Sequence, residues 1–567
     1  MNSRLIAIIP PRFRRRGIGV VFTIFVRALL NFLGLAVLLP VLLLILDTES
    51  IRSVGTLQLI YDLCGFTSDR SFVVAVCAGV VLLIAVKCLL SLVLYRTERN
   101  YIYDLYRSLS RRLYVSYFHR GMGFVKRSNS AVLTRNVNAV CFSFVAGVLR
   151  PIASMACDAM LFLLLFGALA LYSAKSALLI VAVFLPTAYG YYRLVRSRLN
   201  RYGEAENRAH REKARIVAET FRGYPDVEIA RAFPMMLRRF DGAMDRIVEM
   251  QRKNATLGML PSLLTETGVA LGMALLVVAS LGTDAAEVRI LFGMFAVAAL
   301  RLMPSVRNIM SCWAAVKYNR YTVDILGEAH PDAEERSGEQ SAERLPFRER
   351  IRLDGVSFHF DDAPGHDVLH DLSLTIRKGE RLGIRGRSGA GKTTLFNLLL
   401  GFYAPTAGSI LIDGTPLDDR TRRRWQNSVG YVSQTVFLTD STFAANVALG
   451  EREEDMDRGR IARALEAARL SDFVATLPQG MDTPIGECGC RLSGGQRQRI
   501  GIARALYKQA DVLFFDEATS SLDNRTEEDI NHAIEALSAR NAELTIVVIA
   551  HRESSLEYCD RIIDIER

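Results

Sequence analysis

Between a strand-like run, Arg381 to Ile384, and an apolar helix-like run, Leu395 to Leu400, the chain reads Gly386-Arg-Ser-Gly-Ala-Gly-Lys-Thr-Thr394. This string fits G-x-x-x-x-G-K-[ST], and with those flanks it prescribes strand, curled loop and helix in that order. The glycines free the backbone to curl, successive N–H groups point inward at anionic oxygens, and the helix adds the positive end of its dipole. Gly386, Ser388, Gly389, Ala390, Gly391, Lys392, Thr393 and Thr394 are therefore the candidate phosphate cradle. Lys392 would reach the outer phosphates, and the Thr393 hydroxyl would hold Mg²⁺.

A chain of 567 residues is too long for one core. Half of it is hydrophobic and its mean hydropathy is positive, which in a chain this long points to membrane spans. The net charge of +10 does not point to nucleic acid. Its basic residues fall mainly beside apolar runs, as the positive-inside bias requires. Nine cysteines, Cys64, Cys157, Cys312 and Cys559 among them, show no metal-ligand spacing. Cys488-x-Cys490 is the only close pair and is read as incidental. The first apolar run is too long for a signal-peptide core and lacks a small-residue cleavage site, so no cleavable signal is expected.

Arg12, Arg14, Arg15 and Arg16 precede an apolar stretch from about Gly17 to Leu46 and are expected in the cytoplasm. A second span covers about Phe72 to Tyr95. The loop between the two carries Arg52 and Arg70 against Asp47, Glu49, Asp62 and Asp69, and is expected outside. From Arg96 to Arg150 the chain is basic and helix-patterned, which reads as a long cytoplasmic helical hairpin. Spans three and four, about Pro151 to Tyr172 and Ala177 to Val195, flank a short outer turn. A second charged cytoplasmic stretch, Arg196 to Lys253, is broken at Gly223-Tyr-Pro-Asp-Val-Glu-Ile-Ala-Arg231. Spans five and six, about Leu257 to Leu281 and Val288 to Met310, complete a six-span count with both termini cytoplasmic.

The two cytoplasmic insertions are far longer than a helix connection needs, so contact with a partner domain is expected. The plainer reading is that their charges only set topology. Inside the spans lie Arg27, Asn31, Lys87, Asp158 and Arg301, and an ionisable group in lipid must face a cavity or snorkel. Arg301, roughly 20 Å along its helix from the outer end at 1.5 Å per residue, is the better cavity candidate.

From Glu328 to Arg350 the chain turns polar and loses apolar periodicity, so the expected domains are 1–327, a linker 328–350, and 351–567. In the last, strand-like and helix-like runs alternate, as an α/β domain requires. Leu353 to Phe360 reads as a strand ending in an aromatic that would stack on adenine or serve as core. Val512-Leu-Phe-Phe-Asp516-Glu517 reads as a buried strand ending in two carboxylates. At a strand's carboxyl end the first can hold Mg²⁺ and the second can orient or deprotonate a nucleophile. Leu492-Ser-Gly-Gly-Gln496 places small residues at a second anion-facing helix start.

On these residues the chain resembles an ABC transporter of the exporter type, a half-transporter with six spans and one nucleotide-binding domain. The resemblance covers the whole chain. The fold class it implies is multidomain: an all-α membrane domain plus an α/β P-loop ABC domain. It further implies Phe360 as the adenine-stacking aromatic and Gly386 to Thr394 as the Walker A loop. Gln434 would be the Q-loop glutamine, reaching Mg²⁺, and Ser493, Gly494, Gly495 and Gln496 the signature that contacts the γ-phosphate of the opposite subunit. Asp516 is implied as the Walker B carboxylate on Mg²⁺, Glu517 as general base, Ser520 to Asp523 as the D-loop and His551 as the switch histidine. Thr483-Pro-Ile-Gly-Glu487 resembles the exporter X-loop. The adenine position is Phe where Tyr is more usual, and the chain stops at Arg567, soon after His551.

The resemblance implies ATP and Mg²⁺ as cofactors, a second copy of the chain as partner, and membrane lipids around it. It places the protein in a bacterial inner membrane and makes it an ATPase coupled to transport. The stretch Ala299-Leu-Arg-Leu-Met-Pro-Ser-Val-Arg307 is similar to the same region of lipid-linked oligosaccharide flippases and of some peptide exporters. Arg301 and Arg307, with Arg27, are the substrate candidates, against the reading that they serve packing or topology. The expected cargo is amphipathic, with a lipid-linked anionic molecule as one form. Alternatives are a peptide or drug exporter, or an ATP-gated channel or regulatory receptor. No protease domain is expected ahead of the spans, so coupled leader cleavage is not expected.

Overall fold

The structure is a computed structural model that describes residues 2–36, 69–172, 174–279, 285–328, 343–361, 363, 365–517, 527–528, 531–532, 535–536, 539, 541–550 and 552–565. The chain divides into two compact units, Met1–Gly338 and Glu339–Arg567.

In the first unit a short helix α1 (Asn2–Ile8) precedes α2 (Pro11–Ala36), α3 (Asp69–His119), α4 (Arg150–Tyr172), α5 (Ala174–Arg222), α6 (Phe233–Ala279), α7 (Ala285–Tyr318) and α8 (Tyr321–Gly327). Helical turns over 130–149, two of them wider π turns, run straight into α4. At 1.5 Å per residue the 51 residues of α3 extend about 75 Å, against a hydrocarbon layer of about 30 Å. Half of such a helix must therefore stand in water, which is what the basic stretch after Tyr95 anticipates. Val81, Leu82, Leu83, Leu89, Leu92 and Val93 are all exposed on α3, as a lipid-facing surface requires.

Among the described residues five stretches are long and apolar enough to cross a membrane: Pro11–Gly34, Ser71–His119, Ser130–Leu171, Ala177–Arg222 and Phe233–Val278. The expected sixth span, Val288 to Met310, lies in α7 and is not among them. The last part of the first expected span, the loop after it and most of the linker lie outside the described residues. The expected break after Gly223 takes the form of a short helix, Tyr224–Ile229, with Arg231 at φ 49 behind it.

The helices pack on one another through buried apolar residues. Leu5 and Ile8 of α1 pack with Leu105, Leu109 and Leu113 of α3 and with Val323 and Leu326 of α8. Helix α5 packs along α6 and α7, burying Tyr191, Val195 and Leu199 with Leu302, Val306 and Met310. Helix α2 packs on α3 and α4.

The second unit holds two sheets. Strands β1 (Arg350–Phe358), β2 (Leu369–Arg377), β4 (Ala407–Ile412) and β5 (Thr415–Pro416) form an antiparallel sheet in the order β2-β1-β4-β5. Strands β3 (Arg381–Arg385), β6 (Val429–Val432), β7 (Val512–Asp516), β8 (Thr545–Ile549) and β9 (Arg561–Asp564) form a parallel sheet in the order β6-β7-β8-β3-β9. A parallel sheet is covered on both faces, so its strands read as continuous apolar runs. Strand β7 shows this directly. Phe514 packs with Phe396 of helix α9 (Lys392–Leu399) on one face, while Leu513 and Phe515 pack with Ile500 and Ile502 of helix α10 (Gly494–Tyr507) on the other. With no lateral exit, the polar chemistry moves to the strands' carboxyl ends.

Candidate active site

Helix α9 starts one residue after Gly391, earlier than the apolar run alone suggests, so Lys392 is its first residue. Gly391 sits at φ 94 as a left-handed N-cap with no side-chain hydrogen bond to the first turn. A Cβ there would lie 2.9 Å from both the Val368 carbonyl oxygen and Leu369 Cδ2, so only glycine fits. The buried Lys392 ammonium donates to the carbonyls of Gly386 at 2.7 Å and Arg387 at 3.1 Å. It thus sits within the loop as the cation that a phosphate would meet. Ser388, Gly389 and Thr393 are exposed and Thr394 half-buried, while Ala390 packs into the core.

Phe360 lies two residues beyond the end of β1 rather than inside it. Past Phe358 the backbone leaves the sheet, and the His359 N–H donates to Thr406 Oγ1 at 3.1 Å. The Phe360 ring meets Phe358 and Tyr403 edge-on, with centroids at 5.1 Å and 5.8 Å. It remains 38% exposed, so it is braced by two aromatics and still offers surface for stacking.

Asp516 ends β7 and is buried, and the Tyr431 hydroxyl donates to its Oδ2 at 3.4 Å. Burial, and then the Asp516 charge, push the Tyr431 phenol well above its ordinary pKa, so it stays a donor. Glu517 turns out of the strand at φ 51, and its N–H donates to the Ile549 carbonyl of β8 at 3.0 Å. Gln434, just past neighbouring β6, donates from Nε2 to Glu517 Oε2 at 2.8 Å. Its backbone carbonyl in turn accepts from Gln498 Nε2 at 2.8 Å, and Gln498 is buried on α10. The resemblance implied Gln434, Asp516 and Glu517 in one site; in the structure Gln434 meets Glu517, the residue after Asp516.

At the start of α10, Ser493 Oγ accepts from the Gln496 N–H at 3.2 Å, and Gln496 Oε1 accepts from the Ser493 N–H at 2.8 Å. This reciprocal cap uses the serine oxygen as an acceptor and leaves its hydroxyl hydrogen for another oxygen. Among the described residues, a Cβ on Gly494 would meet nothing within 4 Å, so packing there does not require a glycine. The D-loop residues Ser520 to Asp523 and His551, which follows β8, lie outside the described residues.

Thr393, Gln434 and Asp516 would supply a hydroxyl, an amide carbonyl and a carboxylate to a cation. Because the Gln434 nitrogen points to Glu517, its oxygen is the atom left for the metal, and an all-oxygen set suits Mg²⁺.

Sequence reasoning missed Tyr431 and Gln498. Tyr431 is a polar residue in an apolar strand, a signal that could have found it, whereas Gln498 lies among Gln and Arg residues and gave none. It also missed Arg504, whose guanidinium donates to the carbonyls of Asn446 at 2.8 Å and Phe437 at 2.9 Å and so pins the segment after Gln434.

Of the arginines named in the first unit, Arg27 pairs with Glu98 at 2.9 Å, and both side chains are largely buried. Arg301 is exposed on α7. Arg307 is exposed too, with Nη1 3.5 Å from Ser262 Oγ. On α4, Asp158 accepts from Asn308 of α7, which also donates to Ser154 at 3.1 Å.

Residues 369–520 match the family described as ABC transporter. The chain is 36% identical over 396 residues to the ATP-dependent lipid A-core flippase of Ralstonia nicotianae, covering 68% of this chain and 65% of that protein. It thus aligns with just under two thirds of that relative's length. To the ATP-dependent lipid A-core flippase of Burkholderia pseudomallei it is 33% identical over 455 residues, 79% of this chain and 74% of that one. Among solved structures, a bacterial Atm1-family ABC exporter with ATP bound shares its fold at a TM-score of 0.75 and 24% identity, covering 98% of this chain and 93% of that chain.

Proposed function

The chain belongs to the ABC transporter family as a half-transporter of the exporter type, and we propose that it uses ATP to move an amphipathic, lipid-linked anionic substrate from the cytoplasmic side outward. The observation that carries the ATPase half of this reading is the contact line from Gln498 through Gln434 to Glu517. It joins the signature helix to the carboxylate at the end of β7 by two hydrogen bonds of 2.8 Å.

Nucleotide sits between two copies of the chain. The loop Gly386 to Thr394 of one subunit wraps the phosphates, Lys392 neutralises the outer ones and Phe360 stacks on the adenine. Ser493 and Gly494 of the other subunit approach the γ-phosphate, which accounts for the open space at Gly494 and for the uncommitted serine hydrogen. Bound Mg²⁺, held through Thr393, Gln434 and Asp516, would neutralise charge on the phosphates. Glu517 orients the attacking water and takes its proton, with Gln434 fixing the carboxylate through Nε2. His551 is the further group assigned to the γ-phosphate. Closure of the two nucleotide domains turns the membrane helices from inward-facing to outward-facing, and hydrolysis resets them.

The lipid half of the reading rests on the names of relatives that align over most of the chain, and on Arg301 and Arg307. Both are exposed cations on α7, whereas Arg27 is committed to Glu98. They suit a phosphorylated headgroup. The test is proteoliposomes carrying the protein with labelled anionic glycolipid, plain phospholipid or peptide. Net ATP-dependent transfer of the glycolipid, with stimulated ATPase lost in R301A, is the expected result. Stimulation by peptide alone would make it a peptide exporter. Hydrolysis without transfer of any cargo would make it a channel or receptor.

A further inference from the structure

In the turn that leads into α10, three residues have positive φ: Gly486 at 77, Cys488 at 50 and Gly489 at 67. Glycine takes this region at little cost, and asparagine or aspartate is the next most common occupant. A cysteine held there is an outlier that calls for a functional explanation. A second cysteine, Cys490, follows after one glycine, and both thiols are exposed and unbridged. Residues two apart span at most about 7 Å even when fully extended. Here the turn is closed by Gly489 N–H donating to the Gly486 carbonyl at 3.0 Å and Cys490 N–H to the Glu487 carbonyl at 3.1 Å. A disulfide needs Cα atoms about 4.4–6.8 Å apart, a separation open to residues two apart in a closed turn.

We propose that Cys488 and Cys490 form a reversible disulfide that displaces the Ser493 helix tip, making this turn an oxidation site that governs the ATPase. The turn is wedged on both sides. A Cβ on Gly489 would lie 2.6 Å from Leu438 Cδ1, and one on Gly486 would lie 2.8 Å from Cys490 Sγ. Toward α10, Leu492 N–H donates to the Gly489 carbonyl at 3.0 Å and Arg497 Nη1 to the Leu492 carbonyl at 2.7 Å. Cys490 Sγ therefore leaves its seat against Gly486 to reach Cys488, and the backbone change passes to Leu492 and Ser493.

The oxidant is a low-molecular-mass disulfide such as oxidised glutathione. The Cys488 thiolate attacks one of its sulfurs, forming a mixed disulfide and expelling one small thiolate. The Cys490 thiolate then attacks the Cys488 sulfur, closing the ring and expelling the second. Two electrons pass from the cysteines to the small disulfide, and the two cysteine protons end on the two released thiols. Excess thiol reverses both steps. A small exposed ring has a high reduction potential, so it stays open in a reducing cytosol and closes under oxidative load. A metal-ion role has less support. Among the described residues no three His, Cys, Asp or Glu come together as a metal site.

The effect on hydrolysis rests on the reading of Ser493 given above, whereas the disulfide itself does not. The test treats the full-length protein with oxidised glutathione, alkylates the remaining thiols and digests with trypsin. The peptide Leu470 to Arg491 contains both cysteines and no other. In the parent this peptide should escape alkylation and weigh about 2 Da less than the dithiol, the mass of the two hydrogens lost. ATPase should fall at least about fivefold and return with dithiothreitol. The double variant C488S/C490S should keep the reduced parent's rate with or without oxidant. A doubly alkylated parent peptide, an unchanged rate once the disulfide has formed, or equal inhibition of the double variant would each overturn the proposal. A reduced parent that hydrolyses no ATP would instead overturn the ATPase reading, and the mass shift would still decide the disulfide.

Discussion

Helices α9 and α10 both begin where an anion is expected, yet the two starts are finished differently. The first has a left-handed glycine cap, no side-chain partner, and a lysine ammonium folded into its own loop. The second is closed by the reciprocal Ser493 and Gln496 hydrogen bonds. A start of the first kind depends on an incoming phosphate for its backbone donors, whereas one of the second kind is stable by itself and adds a single hydroxyl when approached. Under the proposed function the first would hold nucleotide within one subunit. The second would meet a nucleotide brought by another subunit.

The proposal gives binding to both helix starts and bond-breaking to neither, so the largest expected effect lies elsewhere. E517Q should keep ATP affinity while hydrolysis falls at least about a hundredfold, read as phosphate release. Hydrolysis at the parent rate would remove Glu517 from the role of base. Next comes K392A, which should weaken ATP binding by roughly 10- to 100-fold, as expected for a lost charged hydrogen bond. In the same nucleotide titration S493A should change the affinity of a single subunit by less than about twofold. If the two variants behave alike, the distinction between the helix starts fails.

A third pair of substitutions separates the two glycines. G391A must place a methyl against Val368 and Leu369 at positive φ, so a loss of about 2 kcal/mol is expected, seen as a thermal midpoint lower by about 4–8 °C. G494A has open space and should leave the midpoint within about 2–4 °C of the parent, equivalent to about 1 kcal/mol. ATP-dependent association of two chains should nevertheless suffer. Unimpaired association in G494A would show that no second surface comes close. The smallest effect is the stability cost of S493A, about 1 kcal/mol for a lost cap, measured by denaturant unfolding.

Much of this site was legible before any coordinates, because its residues announce themselves by chemical type and local spacing. A glycine-lysine loop between strand and helix, and two carboxylates closing an apolar strand, need no tertiary context. Phe360 was legible as an aromatic but not as one lying beyond its strand, since the departure depends on Thr406, far away in sequence. Tyr431 and Gln498 were passed over because their partners, Asp516 and the Gln434 carbonyl, are distant along the chain. Arg27 illustrates the same limit in the first unit. Hydropathy marked it as costly, but only packing of α2 on α3 supplies Glu98 as its partner. The cysteine pair read as incidental because spacing cannot reveal that Cys488 occupies a left-handed turn leading to Ser493.

Sequence alone determined the elements: apolar runs long enough for lipid, a glycine-lysine loop between strand and helix, a Ser-Gly-Gly-Gln helix start, and carboxylates at a strand end. These depend on periodicity and short spacing, which are local. Tertiary structure alone decided which groups meet: Gln434 with Glu517, Gln498 with Gln434, Tyr431 with Asp516, and Arg27 with Glu98. Each of those contacts closes a loop of more than sixty residues, and a contact over such a separation exists only once the sheet or the helix pair that carries both ends has formed.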